Sequence, residues 1–205
     1  MPAILGKKIG MTQRFLEDGR VERVTVLEAG PCPVTAIRTD DVDGYVAVQL
    51  GFGSVREKAL SKGELGHLKK ADAPPLRTIK EFRDHAGEHT VGDTVTVGDF
   101  EVGQAVKISG KSKGKGFAGT IKRHNFHAGP KSHGSHNVRA PGSIGASATP
   151  SRVFKGIKGP GRMGGGRVTQ RGLQIVELIP DQNLMLVRGS VPGPKGGTVE
   201  VRTDG

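Results

Sequence analysis

Residues 105–119 read AVKISGKSKGKGFAG, and their character changes halfway. Val106 to Ser109 alternates apolar and polar side chains, as a half-buried strand does. After Gly110 the alternation is of another kind: Lys111, Lys113 and Lys115 are spaced by Ser and Gly. In an extended chain they would project from one face. A strand therefore runs straight into a cationic, glycine-rich segment. From Val102 to Val176 there are 75 residues with 14 Lys or Arg and 16 of the 33 glycines, but no Asp or Glu. The remaining 130 residues carry 17 Lys or Arg and 20 Asp or Glu, so the whole net charge of +11 comes from this block.

Such a block has too few large apolar residues to bury a core of its own. Around it lie short alternating stretches bounded by turn residues. Before it come 24–27, 34–38, 45–52 (YVAVQLGF, after the Asp43-Gly44 turn signal) and 94–97. After it come 173–179, 184–188 and 198–202. Many short strands at this spacing predict a mainly β fold, a small closed barrel. Strands before and after the block must pair if the barrel is to close, so the block is an insertion. The expected limits are 1–109 and 173–205 for the barrel and 110–172 for an irregular basic arm. One short helical segment is expected near 57–71, where Ser61 and Glu64 have capping-box spacing, although Gly63 and Gly66 are poor helix formers.

A pI near 10 with this charge pattern calls for a polyanionic partner. No apolar run approaches the ~20 residues of a membrane-spanning helix. The first residues, MPAILGKK, resemble a strand start rather than a secretion signal, because no long apolar segment follows the lysines. The single cysteine, Cys32 between Pro31 and Pro33, fits a half-buried small hydrophobe at a strand end. It is consistent with a reducing cytoplasm or an organelle matrix.

Two enzyme motifs lie in the block, and both fail on chemistry. Ala105 to Ser112 is one residue short of a phosphate-binding P-loop, with Ala105 in place of the first glycine. No acidic residue before Glu177 could hold magnesium from that side. Gly114-x-Gly116-x-x-Gly119 matches a dinucleotide fingerprint, but the acid required about 20 residues on is missing. His124, His127, His133 and His136 have the spacing H-x2-H-x5-H-x2-H. Four neutral ligands among so many cations would hold a dication poorly, so no metal or other cofactor is assigned. Nor can Ser132-His133 or Ser135-His136 work as nucleophile and base, with no carboxylate in the arm to orient the imidazole.

RNA fits the block better. Glycine lets backbone amides approach phosphates, arginine forks bind them bidentately and stack on bases, and histidine can stack or bond to 2′-hydroxyl groups. The expected RNA-binding residues are Lys111, Lys113, Lys115, Lys122, Arg123, His124, Asn125, His133, His136, Arg139, Arg152, Lys155, Lys158, Arg162, Arg167 and Arg171. Between Arg139 and Arg152 every residue is uncharged and most are small, which suggests tight packing against RNA.

Motifs along nearly the whole chain carry a resemblance. They include Ile4 to Thr12 (ILGKKIGMT), Asp43-Gly44-Tyr45, Ser112 to Gly119 (SKGKGFAG), Lys122 to Phe126 (KRHNF) and Ser132-His133-Gly134. They continue with Pro141 to Gly145 (PGSIG), Thr149-Pro150, Arg167-Val168-Thr169, Asn183-Leu184 and Val191-Pro192-Gly193. On these the sequence closely resembles the bacterial type of the third protein of the large ribosomal subunit.

The resemblance implies a structural constituent of the ribosome rather than an enzyme, with a barrel like those of translation factors. It implies primary binding near the 3′ end of large-subunit rRNA, a role in nucleating assembly, and contacts with the fourteenth and nineteenth large-subunit proteins. Neither a membrane nor a small-molecule substrate is implied. It also implies an arm reaching toward the peptidyl transferase centre, with Ser143, Ala146, Ser147, Ala148 and Thr149 nearby. His124 stands where tryptophan is frequent, Val138-Arg139-Ala140 replaces a more basic run, and Gly159 takes a usual methionine position. Ala148 replaces a glutamine that is methylated in some bacterial members, so that modification cannot occur there. The competing expectation, a nucleotide-dependent enzyme acting on RNA, requires catalytic carboxylates near the arm.

Overall fold

Alternation builds the barrel strands. In the stretch 198–203 the burial alternates residue by residue, with Val199, Val201 and Thr203 inside and Glu200 and Arg202 half-exposed. The computed structural model describes residues 2–16, 19–83 and 89–204. The elements are β1 (Ala3–Phe15), β2 (Val21–Ala29), β3 (Cys32–Arg38), α1 (Asp40–Asp43), β4 (Ala47–Ser54), α2 (Lys62–Lys70), β5 (Leu76–Arg83) and β6 (Thr94–Val95). They continue as β7 (Ala105–Lys111), β8 (Phe117–Ala118), α3 (Thr120–His124), β9 (Gly161–Arg162), β10 (Arg167–Ile179), β11 (Leu184–Arg188) and β12 (Thr198–Thr203).

Six strands close an antiparallel barrel in the order β1-β12-β7-β10-β11-β2. The barrel expected from the sequence is present, but it does not use every strand. β3, β4, β5 and β6 form a separate four-stranded sheet in the order β5-β4-β3-β6. Ile4, Leu27, Val106, Ile108 and Val201 of the barrel share one buried core with Val34, Leu50 and Phe82 of the sheet. The Arg202 guanidinium lies 4.8 Å from the centre of the Phe82 ring. Gly6 marks a close approach of β1 to β2: a Cβ there would sit 2.7 Å from the Glu28 carbonyl oxygen.

Two groups buried in this unit are handled by local chemistry. Lys8 is 8% exposed, and its Nζ donates to the carbonyls of Val191 (2.6 Å) and Gly193 (3.3 Å), which lowers the cost of burying the charge. The expected half-buried Cys32 is fully buried; its thiol donates to the Leu5 carbonyl at 3.4 Å. Burial pushes the thiol pKa up to about 12, against smaller lowering effects from backbone hydrogen bonds.

The capping box at Ser61 forms in full. Ser61 Oγ accepts from the Glu64 amide at 3.3 Å, and Glu64 Oε2 accepts from the Ser61 amide at 2.8 Å. It starts α2, and a Cβ at either Gly63 or Gly66 would point into open space. The expected strand 94–97 is shorter, because Thr96 donates its amide to Asp99 Oδ2 at 2.7 Å and caps a 3-10 turn at Val97–Asp99. β5 was not anticipated. Its Glu81 accepts from Tyr45 Oη (2.9 Å), Gln49 Nε2 (3.1 Å) and Arg38 Nε (3.2 Å). Partial burial pushes the Glu81 carboxyl up, but these donors outweigh it and hold the pKa below its ordinary value.

The barrel unit runs to Ser112 and resumes at Arg167, while Lys113–Gly166 forms a second compact unit. These limits lie inside the 110–172 expected for the arm, because the β7–β10 ladder continues to the pair Lys111↔Arg167. Among the described residues no helix is long and apolar enough to cross a membrane.

Candidate nucleic-acid interface

The 113–166 unit is held by few but specific contacts. β8 and β9 pair as Phe117↔Arg162 and Ala118↔Gly161. The ladder is extended by Lys115 N–H to the Met163 carbonyl and Met163 N–H to the Gly116 carbonyl, both at 2.9 Å. Gly164 has φ +69°, and a Cβ there would stand 2.1 Å from the Lys113 carbonyl oxygen, so only glycine fits. Alternation across β8 leaves Phe117 outside and buries Ala118. α3 follows at once and ends where Asn125 adopts a left-handed conformation, φ 59°.

Two residues expected to contact RNA also bond within this unit. Arg123 Nη1 donates to the Gly159 carbonyl at 2.8 Å, and His124 Nε2 lies 3.0 Å from the same oxygen, where it must be the protonated nitrogen. Both side chains are half-exposed and join α3 to the chain ahead of β9. Farther along, Gly129 N–H donates to the Val138 carbonyl at 2.9 Å; a Cβ at Gly129 would fall 2.0 Å from the Asn137 oxygen. His127, His133 and His136 are exposed, His133 with φ 60°. Among the described residues no three His, Cys, Asp or Glu are grouped to hold a metal.

The other cations face outward. Lys113, Lys115, Lys122, Lys131, Arg139, Arg152, Lys155, Lys158 and Arg162 are all exposed, as is Asn125. Residues 141–149 are exposed throughout, including Ser143, Ala146, Ser147, Ala148 and Thr149. Local bonds shape this stretch: Ser143 Oγ donates to the Gly145 carbonyl at 3.0 Å, and Ser151 Oγ to that of Ala148.

Lys111, Arg167 and Arg171 stand on barrel strands β7 and β10, and the two arginines are already paired. Arg167 Nη2 binds Glu200 Oε2. Arg171 Nη2 and Nε donate to Asp204 Oδ1 at 2.8 and 3.1 Å. The hydrogen bond between them, reinforced by charge, raises the Arg171 pKa and lowers that of Asp204. A block free of acids in sequence thus meets acids supplied by β12 and the residue after it. The signal was present in 198–204, TVEVRTD, whose period of two puts Glu200, Arg202 and Asp204 on the outer face. Phe117 and Phe154, also exposed in this unit, are outside the expected set.

A closed barrel joined to a separate unit whose every formal charge is positive defines a protein suited to a polyanion. Residues 75–182 match the family model described as Ribosomal protein L3. Over 202 residues the chain is 55% identical to the large ribosomal subunit protein uL3 of Acidothermus cellulolyticus, covering 98% of this chain and 91% of that one. Identity to uL3 of Gloeobacter violaceus is 54% over 200 residues (97% and 93% covered), and to uL3 of a Synechococcus strain 50% over 200 (97% and 92%). The chain belongs to the ribosomal protein L3 family of the large ribosomal subunit.

Proposed function

We propose that this chain is a structural, non-catalytic component of the large subunit that binds its rRNA mainly through 113–166. The observation that carries this is the exposure of nine lysines and arginines in that unit with no acidic residue among them. Phosphate contacts from Lys113, Lys115, Lys122, Arg139, Arg152, Lys155, Lys158 and Arg162 set position on the RNA; Asn125, His133 and His136 add hydrogen bonding or stacking. Arg123 and His124 shape the unit while still presenting partly open edges. Lys111, on β7 of the barrel unit, adds a further cation, and Arg167 and Arg171 contribute less because Glu200 and Asp204 hold them.

On the family resemblance, binding occurs near the 3′ end of the large-subunit rRNA early in assembly. The small exposed residues Ser143, Ala146, Ser147, Ala148 and Thr149 approach the peptidyl transferase centre, and the fourteenth and nineteenth subunit proteins are neighbours. A nucleotide-dependent enzyme fits poorly: the P-loop-like residues 105–111 form strand β7, with Gly110 paired to Val199 and Val168.

Because Lys111 and Arg167 are cross-strand partners, a short Gly-Ser turn can join Ser112 to Arg167 without disturbing the barrel. The chain shortened in this way should bind large-subunit rRNA far more weakly than the full chain in filter binding. Equal affinity would put the interface on the barrel and overturn the proposal.

A further inference from the structure

The chain contains seven phenylalanines; in the barrel unit Phe15, at the end of β1, is 67% exposed and the other three are buried. Phe52, Phe82 and Phe100 of the barrel unit are 9%, 0% and 4% exposed. In the 113–166 unit Phe126 is partly covered, its ring centre 6.2 Å from that of His124. Phe117 and Phe154 are instead 79% and 57% exposed. Leaving large rings in water forgoes the stabilisation that burial would supply. Their settings are built rather than accidental. Phe117 is fixed by the β8–β9 ladder opposite the exposed Arg162, on the face away from buried Ala118. The guanidinium of Arg152 lies over the Phe154 ring, 5.1 Å from its centre.

Aromatic rings between cations have a specific use. A base stacks on a ring face while the neighbouring guanidinium meets its phosphate, and every base offers a π-face. Arg152 covers one face of Phe154, and the residue is still 57% exposed, room that a base could use. An apolar protein surface would not explain why both rings stand beside arginine. We propose that Phe117 and Phe154 are stacking platforms for two unpaired bases of large-subunit RNA, backed by Arg162 and Arg152. This rests on the RNA-binding role proposed above and assigns the base contacts to the two rings, while the lysines hold phosphates.

The test uses the full-length chain and large-subunit rRNA. Phe117→Leu and Phe154→Leu keep an apolar side chain but lose the ring, and exposed positions should tolerate them without unfolding. Each should weaken binding about 5- to 150-fold, the range for loss of one stacked base, with an unchanged salt dependence because no phosphate contact is lost. The chain has no tryptophan, so Phe154→Trp adds a unique reporter. It should bind as the parent does, with its emission strongly quenched on RNA by base stacking. Leucine variants that bind as tightly as the parent would overturn the stacking assignment alone. A tryptophan emission that shifts to the blue without quenching would do the same, indicating an apolar protein contact. A parent chain with no salt-dependent rRNA binding would overturn the RNA-binding role itself.

Discussion

Replacing Lys122, Lys155 and Lys158 together by glutamine tests how the basic unit binds. All three side chains are exposed on the 113–166 unit. Each phosphate neutralised releases counterions and adds about −0.7 to the slope of log affinity against log salt on single-stranded RNA. The eight phosphate contacts proposed in this unit give a slope of about −6 for the full chain. The triple variant should then show a slope near −4, and at ~0.1 M salt it should bind roughly a hundredfold more weakly. Arg167→Gln with Arg171→Gln supplies the contrast, since Glu200 and Asp204 already hold these guanidiniums. That pair should change the slope by less than one lysine does. The assay is filter binding of the folded variants to large-subunit rRNA across a salt series. An unchanged slope in the triple variant, or a pair of arginine substitutions that flattens it equally, would refute the assignment of phosphate contacts.

Three further outcomes follow from the geometry. Gly164→Ala must place a Cβ against the Lys113 carbonyl at a positive φ, which alone costs about 1–2 kcal/mol; trypsin should cleave within 113–166 faster than in the parent, with barrel unfolding unchanged. Glu81 titrates below its ordinary value near 4.5, so its contribution, on the order of 1 kcal/mol, is present above that value and lost as pH falls through the lower folded one. Thermal unfolding of the parent and of Glu81→Gln should therefore differ near neutral pH and converge in acid; a gap that widens in acid would contradict this. Cys32, buried and with its pKa raised to about 12, should resist thiol reagents in the native protein and react after denaturation; rapid labelling of native protein would show that β3 opens readily.

Where the signal was local, the sequence sufficed. The alternation in 184–188 and 198–202, the capping spacing of Ser61 and Glu64, and the absence of acids from 102–176 all depend on neighbours in the chain. The first half of β10, RVTQR, falls within the expected irregular arm because its sequence has no apolar period; in the fold all five residues are exposed. Its strand state depends on β7, some 60 residues earlier, through pairs such as Thr169↔Ser109. The division of the strands between barrel and sheet rests equally on long-range pairing. The inward bonds of Arg123 and His124 to Gly159 were hidden for the same reason, since a partner 36 or 35 residues away leaves no local trace.

The position of β12 has a consequence during synthesis. It lies between β1 and β7, pairing Ala3 with Arg202 on one side and Gly110 with Val199 on the other. A nascent chain is made from its N-terminus, so β1 and β7 exist long before 198–203 emerges. Throughout that interval both carry unsatisfied backbone edges, which are templates for pairing with other chains. Residues 113–166, with all their cations, are likewise made before 198–203. The part suited to RNA is thus available before the barrel can close.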